Sequence, residues 1–572
     1  MDARKKQMRL DIILMVLMYV SLLALKIVLV VGNRSFPIIS DEFNYEYMSW
    51  KLITDGSYAS AHYPFLYPLA LAPAHLFGEQ SYLAMKVLNA VYSSFVPVIT
   101  YLICRLYLDW KPSLMCGLFS MVLPFQYVFT MCLLSENLYF PLLLLAIYVL
   151  LRPYKRPLAG DILIGVFLGL LMLTRHITLS IIPVFAVVWM MKQYGYGKKW
   201  GYIFGRGFLV VAVLCAAYSP WFVSKLLQGH ELKTIVGLSI ASGSDPAQLT
   251  LDRLLLSLTY YVLYAVLMLA PLLGVLVKSI RGLDLGKKEK CSQFNQLWVL
   301  MVGLMGFMLA AVVRHSWKAY YNYPEFTKIK GRYVVYFTVL AAILAAVTLF
   351  KKKPKFKHLW CNIVFCYVLP ALALTAAFLV EVQNRTSIAV ESLIDMYDSI
   401  DGKRIQYGGT KFFVVAMIAM LLIVLVYDMG KKLTQRWLFL VFGGCMIVTE
   451  IIGGRTYYNA IKRANTRSAS GGTITYEWEV METLEEIYEG ESITVYMEDG
   501  VRRRDIIEWL PRFIRHEDIS MVEDNRNIKS DTYFVLTTNK EQYEDVLIRE
   551  IDEYRLSGTD MYMLEIENEN KD

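Results

Sequence analysis

The chain has 572 residues, of which 56% are hydrophobic and 19% are charged, and its formal net charge at pH 7 is +8. Because soluble domains contain about 25% charged and about 45–50% apolar residues, this composition excludes a disordered chain, a collagen-like fibre and a small disulfide-bonded scaffold. It predicts a polytopic membrane protein.

The charge is unevenly distributed along the chain. Residues 1–470 contain 47 basic and 23 acidic residues, whereas residues 471–572 contain 11 and 27. The basic residues lie between apolar runs rather than on one face, so they do not indicate nucleic-acid binding. We therefore expect a basic membrane portion joined to an acidic, more polar C-terminal part, with no nucleic acid among the partners.

Apolar runs divide most of the chain into candidate membrane spans. The first, from Leu10 to Val31, can cross a hydrocarbon core of about 30 Å. No small-residue cleavage site follows it, so we interpret it as an uncleaved span. Twelve further runs lie near residues 82–104, 112–132, 134–151, 160–174, 176–191, 207–224, 254–277, 294–313, 333–350, 359–380, 411–427 and 437–453. The sequence thus predicts about 13 transmembrane helices, a number that changes by two if 160–174 and 176–191 form one re-entrant pair.

Basic residues are concentrated in alternate loops, such as 192–206 and 351–357, and at the N-terminus. By the positive-inside rule these segments are cytoplasmic. An odd number of spans then places the C-terminal part outside the cell membrane. The long loops 32–81, 225–253, 314–332 and 381–410 also lie outside under this orientation, and long loops on a rigid scaffold commonly carry function.

Three regions follow from this pattern. Residues 1–453 are predicted to be a transmembrane domain, 454–472 a linker, and 473–572 an acidic extracytoplasmic α/β domain. In that domain three β-rich strings alternate with three segments of helical period. The strings are Ser492–Met497, Thr532–Thr537 and Met561–Ile566, and the helical segments are Tyr476–Tyr488, Asp505–Ile514 and Glu541–Tyr554.

The first long outer loop contains the adjacent carboxylates Asp41 and Glu42, ten residues after the first span. One carboxylate of such a pair can act as a general base while the other orients it or contacts a substrate. The alternative is a helix start, because Ser40 followed by two acids is a common N-terminal signal. The residues alone leave both interpretations open.

Three further motifs lie at the same predicted face. Ser135-Glu136-Asn137 opens one span, Thr174-Arg175-His176 ends another, and Lys330-Gly331-Arg332 leads into a third. Carboxylates and cations can therefore converge at one interface. Transfer from a membrane-embedded phosphate ester needs such a set, with a base for the acceptor hydroxyl and fixed cations for the leaving phosphate.

Together with a tyrosine- and proline-rich element at residues 62–68, these motifs resemble the polyprenyl-phosphate-sugar glycosyltransferases of the GT-C superfamily. The most similar branch contains protein O-mannosyltransferases, lipid A aminoarabinose transferases and Rgt-like lipopolysaccharide glycosyltransferases. The resemblance covers residues 35–335 of this sequence. It implies a GT-C fold with about 13 transmembrane helices. The small C-terminal extracytoplasmic α/β domain matches the layout of the aminoarabinose transferases.

The resemblance also implies an inverting hexosyl- or pentosyltransferase. Asp41 would be the general base, and Glu42 would help to place the base or the acceptor. The residues implied in substrate binding are His62, Tyr63, Glu136, Arg175, Lys318, Lys330 and Arg332. One departure concerns the first loop, where the aminoarabinose enzymes place Lys before a double proline and this chain has His62-Tyr63-Pro64.

Structural alternatives exist for several of these residues. Arg332 can be an interfacial anchor, His62 a structural loop residue, and Glu136 part of a helix cap. Five cations and a histidine within residues 314–332, at a face where the positive-inside rule expects few basic residues, favour an anionic ligand such as a donor phosphate or a lipid headgroup.

The sequence thus predicts a cell-membrane glycosyltransferase that moves a sugar from a polyprenyl-phosphate carrier to a hydroxyl of an extracytoplasmic glycan, lipid or protein. The donor ester supplies the energy, and no Walker A motif is present. Neither a DxD motif in the first loop nor a cysteine pattern indicates a metal, so no cofactor is expected. Membrane lipids are further expected partners. The rival is a non-enzymatic transporter or flippase for a lipid-linked glycan, which predicts polar residues along a path through the bilayer.

Overall fold

A computed structural model of the chain describes residues 2–380 and a set of strands within residues 386–568. The gaps in the first part are 33–39, 59, 124, 239–248, 270–271, 285, 287–290, 319–328 and 355–357. Several predicted features lie outside the described residues: the apolar runs 411–427 and 437–453, the linker 454–472, and the helical segments Tyr476–Tyr488 and Asp505–Ile514.

The first part of the chain is helical. Its α-helices are α1 Asp2–Val31, α2 Ser40–Thr54, α3 Leu66–Leu71, α4 Ser81–Ser93, α5 Phe95–Arg105, α6 Trp110–Met121, α7 Phe125–Val128, α8 Glu136–Leu151, α9 Pro157–Thr174, α10 Thr178–Gly195, α11 Trp200–Leu227, α12 Leu232–Ile235, α13 Leu251–Leu269, α14 Leu273–Arg281, α15 Gln293–Lys318, α16 Tyr336–Val347, α17 Leu359–Ile363 and α18 Leu369–Leu379. Short 3₁₀ turns cover Ala72–Gln80, Phe129–Met131 and Gly331–Tyr333, and π turns cover Thr348–Lys352 and Val364–Val368.

Seven helical stretches in the described residues are long and apolar enough to cross a membrane. They are Lys5–Val31, Ser81–Arg105, Pro157–Thr174, Trp200–Leu227, Leu251–Leu269, Gln293–Lys318 and Gly331–Lys352. Shorter apolar helices cover Glu136–Leu151 and Val364–Ala377. The protein is therefore a multi-pass membrane protein, and its predicted apolar runs up to residue 380 all lie mainly in helical structure.

One predicted run does not form a regular span. The run at 112–132 begins as α6, which ends at Met121. Between Met121 and Glu136 the described residues form only the four-residue helix α7 and a 3₁₀ turn, before α8 begins. We call residues 122–135 the broken segment. In a bilayer an unbroken helix provides hydrogen bonds for all backbone N–H and C=O groups. Non-helical backbone within the hydrocarbon region must instead be buried in protein. The broken segment meets this condition, since Leu123, Phe129 and Leu133 in it are buried.

Helix α9 packs closely against α11 because of small residues on its surface. A Cβ atom added to Gly169 would lie 2.4 Å from the Cβ of Ala217, so only glycine permits this approach. Helices α9 and α10 each contain 18 residues. At about 1.5 Å per residue each is roughly 27 Å long, and of the two only α9 is among the candidate spans of the described residues, so the re-entrant pair stays an open alternative.

Two predicted outer loops meet in a small sheet. Strand β1 (Ile329–Lys330), from the 314–332 loop, pairs in parallel with β2 (Thr386–Ser387), from the 381–410 loop. Strands β3 (Met396–Tyr397) and β4 (Arg404–Ile405) extend this sheet in the order β1-β2-β3-β4. The residue after β1 begins the turn that carries Arg332, so this sheet lies directly beside a predicted site residue.

The C-terminal part contains a separate five-stranded sheet in the order β6-β5-β7-β9-β8. The strands are β5 Ile493–Met497, β6 Ile519–Val522, β7 Thr532–Thr537, β8 Leu547–Glu550 and β9 Tyr562–Glu567. β5 runs parallel to β6 and β7, whereas β9 is antiparallel to β7 and β8. The three predicted strands correspond to β5, β7 and β9.

The predicted helix Glu541–Tyr554 is wrong. The chain forms a short 3₁₀ helix, Lys540–Val546, and then the edge strand β8. Pairing with β9 places Arg549 beside Glu565, and its Nε donates to Glu565 Oε2 at 2.7 Å. Pairing with a neighbouring strand thus outweighs the helical spacing of the apolar residues in the segment Glu541–Tyr554.

Candidate active site

Four elements bring charged side chains together at one end of the helical bundle. Asp41 lies in the first turn of α2, and Glu136 is the first residue of α8. Arg175 follows the last residue of α9, and Arg332 lies in the 3₁₀ turn before α16. Three of the predicted motifs therefore converge with the first-loop carboxylate, as the sequence indicated.

These four side chains form a charge cluster in which acids and guanidinium groups alternate. Arg332 Nη2 donates to Asp41 Oδ2 at 2.6 Å, and Arg332 Nε lies 3.8 Å from Glu136 Oε1. Glu136 also forms an ion pair with Arg175. The side chains of Asp41, Arg332, Glu136 and Arg175 are 17, 7, 2 and 15% exposed. Charges buried to this degree are tolerated because each has an opposite neighbour.

Tyrosine side chains surround the charge cluster. The Tyr63 hydroxyl donates to Asp41 Oδ1 at 3.1 Å, so both oxygens of this carboxylate are held. Burial and the adjacent Asp41 raise the pKa of Tyr63, which keeps it a hydrogen-bond donor. The Tyr333 ring lies 5.2 Å from the Arg175 guanidinium and 5.1 Å from that of Arg332, within cation–π range.

Apart from the Glu136–Arg175 ion pair, two further buried polar atoms of the site make no hydrogen bond within the described residues. They are Nε of Arg332 and the hydroxyl of Tyr336. Tyr336 begins α16, four residues after Arg332, and packs against Phe140 with ring centroids 4.8 Å apart. Buried polar groups normally have hydrogen-bond partners. These two groups can therefore donate hydrogen bonds to an oxygen-rich ligand or to water.

Arg332 and Glu136 have structural alternatives, Arg332 as an interfacial anchor and Glu136 as part of a helix cap. Arg332 is buried among protein groups rather than extended into a lipid–water interface. Ser135, at the N-cap position of α8, makes no side-chain capping bond, and the carboxylate of Glu136 is directed to Arg175. Asp41 does lie in the first turn of a helix, and it also contacts Arg332 and Tyr63.

Glu42 is adjacent to Asp41 in sequence but lies in a different environment. It is completely buried, and its Oε2 accepts hydrogen bonds from the Tyr82 hydroxyl at 2.6 Å and from the Leu133 backbone N–H at 2.7 Å. Successive residues of a helix point about 100° apart. The two carboxylates therefore do not act on one point, and the predicted placement of acceptor by Glu42 has no support in this geometry.

The remaining predicted residues are less directly connected to the charge cluster. His62 is exposed in a turn where Ser60 Oγ accepts from the backbone N–H groups of His62 and Tyr63. Lys318 ends α15, and the described contacts of the charge cluster do not include it. Lys330 lies in β1, with its side chain outside the described residues.

Sequence reasoning missed several residues that support the site. Lys225, near the end of α11, is buried and donates to the backbone carbonyl of Tyr58, whose hydroxyl donates to the carbonyl of Tyr63 at 2.7 Å. Asn89, on α4, donates to the backbone carbonyl of Cys132 in the broken segment. The available signal was a lysine directly after one apolar run and an amide residue inside another, where polar side chains are costly and usually have a role.

Comparison with solved structures identifies the fold, although no protein-family model and no curated protein matches the sequence. ArnT from Cupriavidus metallidurans bound to undecaprenyl phosphate aligns with a TM-score of 0.55 and 11% identity over 97% of each chain. Its apo state aligns with a TM-score of 0.54 and 12% identity over 98% of each. The apo oligosaccharyltransferase of Archaeoglobus fulgidus aligns at 0.44, with 12% identity, over 88% of this chain and 64% of that one.

The two ArnT alignments extend over essentially the whole chain, including its C-terminal part. They confirm the predicted fold class, a polytopic helical architecture with a small C-terminal α/β domain, similar to that of the solved ArnT structures. At this level of identity they establish the fold alone.

Proposed function

We propose that this protein is an inverting glycosyltransferase that moves a sugar from a polyprenyl-phosphate carrier to a hydroxyl of an extracytoplasmic glycan, lipid or protein. The observation that carries the proposal is the Asp41 carboxylate, held by the Tyr63 hydroxyl and the Arg332 guanidinium within a buried charge cluster. The fold supports it, because the solved ArnT structure with this fold is described as bound to undecaprenyl phosphate.

In the proposed reaction the acceptor hydroxyl oxygen attacks the anomeric carbon of the sugar. Asp41 takes the hydroxyl proton as the new carbon–oxygen bond forms. The bond between the anomeric carbon and the phosphate oxygen breaks, and the polyprenyl phosphate leaves with the electron pair. Attack opposite the leaving group inverts the anomeric configuration.

The guanidinium groups of Arg332 and Arg175 stabilise the leaving phosphate. Guanidinium can bind two phosphate oxygens at once, and Arg332 Nε, which makes no hydrogen bond within the described residues, can donate to one of them. Glu136 holds both guanidiniums close together and offsets their repulsion. Because side chains supply the positive charge that the phosphate requires, the proposal includes no metal.

The other predicted residues act around this centre. Tyr63 orients Asp41, and His62 lies in the same turn, where it contacts the acceptor. Lys318 and Lys330, from the cation-rich 314–332 loop, attract the anionic donor to the site. Under the orientation that the positive-inside rule predicts, residues 1–453 form the catalytic membrane domain and the N-terminus is cytoplasmic. The linker 454–472 then joins it to the extracytoplasmic domain 473–572.

The test is sugar transfer by purified protein. Polyprenyl-phosphate sugars, each radiolabelled in its hexose or pentose, are incubated with the protein in detergent and with a membrane extract as acceptor. We expect one labelled sugar to move from the lipid into a new covalent product. A flippase would instead move an intact lipid-linked sugar across reconstituted vesicles and leave its phosphate bond unbroken.

A further inference from the structure

The environment of Glu42 carries an inference that deepens the proposed function and rests on it. Its carboxylate is fully buried, so it cannot touch an acceptor hydroxyl or a donor phosphate. Its two described hydrogen bonds come from Tyr82, on α4, and from Leu133, 91 residues away in the broken segment. Glu42 therefore connects the helix that carries Asp41 to a distant part of the chain.

The broken segment depends on such side chains for its backbone hydrogen bonds. Asn137 Nδ2 donates to the carbonyls of Phe129 at 2.6 Å and Leu134 at 3.1 Å, and Asn89 Nδ2 donates to the carbonyl of Cys132 at 3.1 Å. These amides satisfy carbonyl oxygens, whereas Glu42 satisfies a backbone N–H. A buried backbone group without a partner is costly, so each of these contacts fixes the path of the segment.

The end of the broken segment leads directly into the charge cluster. Leu133, which donates to Glu42, is three residues before Glu136 and is buried against Tyr45 and Tyr67. Ser135, which directly precedes Glu136, accepts a hydrogen bond from the hydroxyl of Tyr45, on α2, at 3.1 Å. A shift of Leu133 would therefore move Glu136 relative to Arg332 and Asp41.

We infer that Glu42 is a positioning residue that fixes the broken segment through the Leu133 N–H and so sets Glu136 against the charge cluster. The adjacent acids of the first loop then have different tasks. Asp41 faces the reacting groups, and Glu42 holds together two elements that meet at the site.

Substitutions of Glu42 and Asp41 separate positioning from proton transfer. In Glu42→Gln the amide oxygen can still accept both hydrogen bonds, so we expect kcat within about tenfold of wild type, since a neutral acceptor is weaker than a charged one. In Glu42→Ala no acceptor remains, and we expect kcat to fall by about 10²-fold, as for a misplacement of about 1 Å. Asp41→Asn provides the comparison, with a loss of about 10²–10⁴-fold for a general base.

The pH dependence of kcat/KM distinguishes positioning from proton transfer. In Glu42→Gln the acid limb should stay where it is in wild type. Tyr82→Phe removes one hydrogen bond to Glu42 with little change of volume, and it should lower kcat slightly without moving the acid limb. If Glu42 were the base, losing that bond would move the acid limb. Tyr92→Phe is the control, since the Tyr92 hydroxyl donates to the carbonyl of Ala70, away from Glu42.

A second readout does not depend on transfer. Cys132 is buried beside Leu133, so its labelling by a thiol reagent, mapped by mass spectrometry, reports on the broken segment. We expect protection in wild type and Glu42→Gln and labelling in Glu42→Ala at a temperature where all three are folded. Protection of Cys132 in Glu42→Ala, or loss of the acid limb in Glu42→Gln, would overturn the inference. Inactive wild-type protein with the expected labelling would instead count against the proposed function.

Discussion

Asp41 and Arg332 are 291 residues apart in sequence, and Arg332 Nη2 donates to Asp41 Oδ2 at 2.6 Å. This contact joins the first turn of α2 to the turn before α16 and holds the proposed base at a fixed distance from the proposed phosphate ligand. Because Arg332 also lies between Asp41 and Glu136, the geometry of its planar guanidinium matters as much as its charge.

Replacing Arg332 with lysine should retain part of the donor binding and lose most of the turnover. Lysine keeps the positive charge, but a single ammonium cannot contact Asp41, Glu136 and two phosphate oxygens together. The charge that develops on the leaving phosphate would then be less well stabilised. The measurement is the initial rate against donor concentration for wild type, Arg332→Lys and Arg332→Ala in one detergent, and Arg332→Ala should lose both binding and turnover.

Arg105→Lys is the matched control for this substitution. Arg105 also pairs with a carboxylate, with its Nε 3.2 Å from Asp11 Oδ1, but its partner lies on α1 outside the charge cluster. Its kinetics should stay near those of wild type. Equal rates for wild type and Arg332→Lys would remove Arg332 from the site and favour a role as a general anchor.

Glu136→Gln should reduce both activity and stability. The carboxylate is the shared partner of two guanidiniums, and its side chain is only 2% exposed. Removing one partner of a buried ion pair typically costs about 3–5 kcal/mol because an unpaired charge remains. Thermal unfolding in detergent should therefore show a larger loss for Glu136→Gln than for Asp11→Asn, which affects a more exposed pair. Equal losses would argue against the charge cluster as a buried unit.

The sequence predicted the fold class and the convergence of Asp41, Glu136, Arg175 and Arg332, because span order and loop sidedness restrict which motifs can meet. It could not separate Asp41 from Glu42, since their difference depends on Leu133 and Tyr82, which are remote in sequence. The break after Met121 was also not predicted, because the 112–132 run is mostly apolar and reads as one span, although Pro124 within it is a helix-breaking residue. The buried polar residues that support the break, Glu42, Asn89 and Asn137, are spread over the three helices α2, α4 and α8.

The proposed orientation can be tested by cysteine labelling in intact cells. Ser530, in the C-terminal domain, and Lys353, in the loop after α16, are both exposed. A membrane-impermeant thiol reagent should modify Ser530→Cys and spare Lys353→Cys until the cells are opened. Wild type provides the background from the native cysteines. The opposite pattern would overturn both the orientation and the outer position of the site.

His176 should make stability depend on pH. Its burial and the neighbouring His62 lower its pKa to about 4, from an ordinary value of about 6.5. Between these values the unfolded chain binds the proton more readily than the folded one, so stability is complete above about pH 6.5 and falls as the pH decreases towards 4. His176→Gln should reduce the loss of Tm between pH 7 and pH 5, whereas His358→Gln, at an exposed position, should leave it unchanged. An unaltered pH dependence in His176→Gln would contradict this assignment.

The central claim is that Asp41 accepts the acceptor's proton during sugar transfer. Asp41→Asn keeps the shape of the side chain and removes its proton-accepting power. Asn also suits a helix start about as well as Asp, so a purely structural Asp41 would tolerate the change. Asp55→Asn is the control, because Asp55 lies just beyond the other end of α2, exposed and paired with Lys51 at 3.0 Å.

The most direct measurement is the rate at which radiolabelled sugar passes from polyprenyl phosphate into the acceptor, compared among wild type, Asp41→Asn and Asp55→Asn at equal folded concentration. We predict a loss of about 10²–10⁴-fold in Asp41→Asn, with Asp55→Asn close to wild type. Transfer by Asp41→Asn at the wild-type rate would contradict the account.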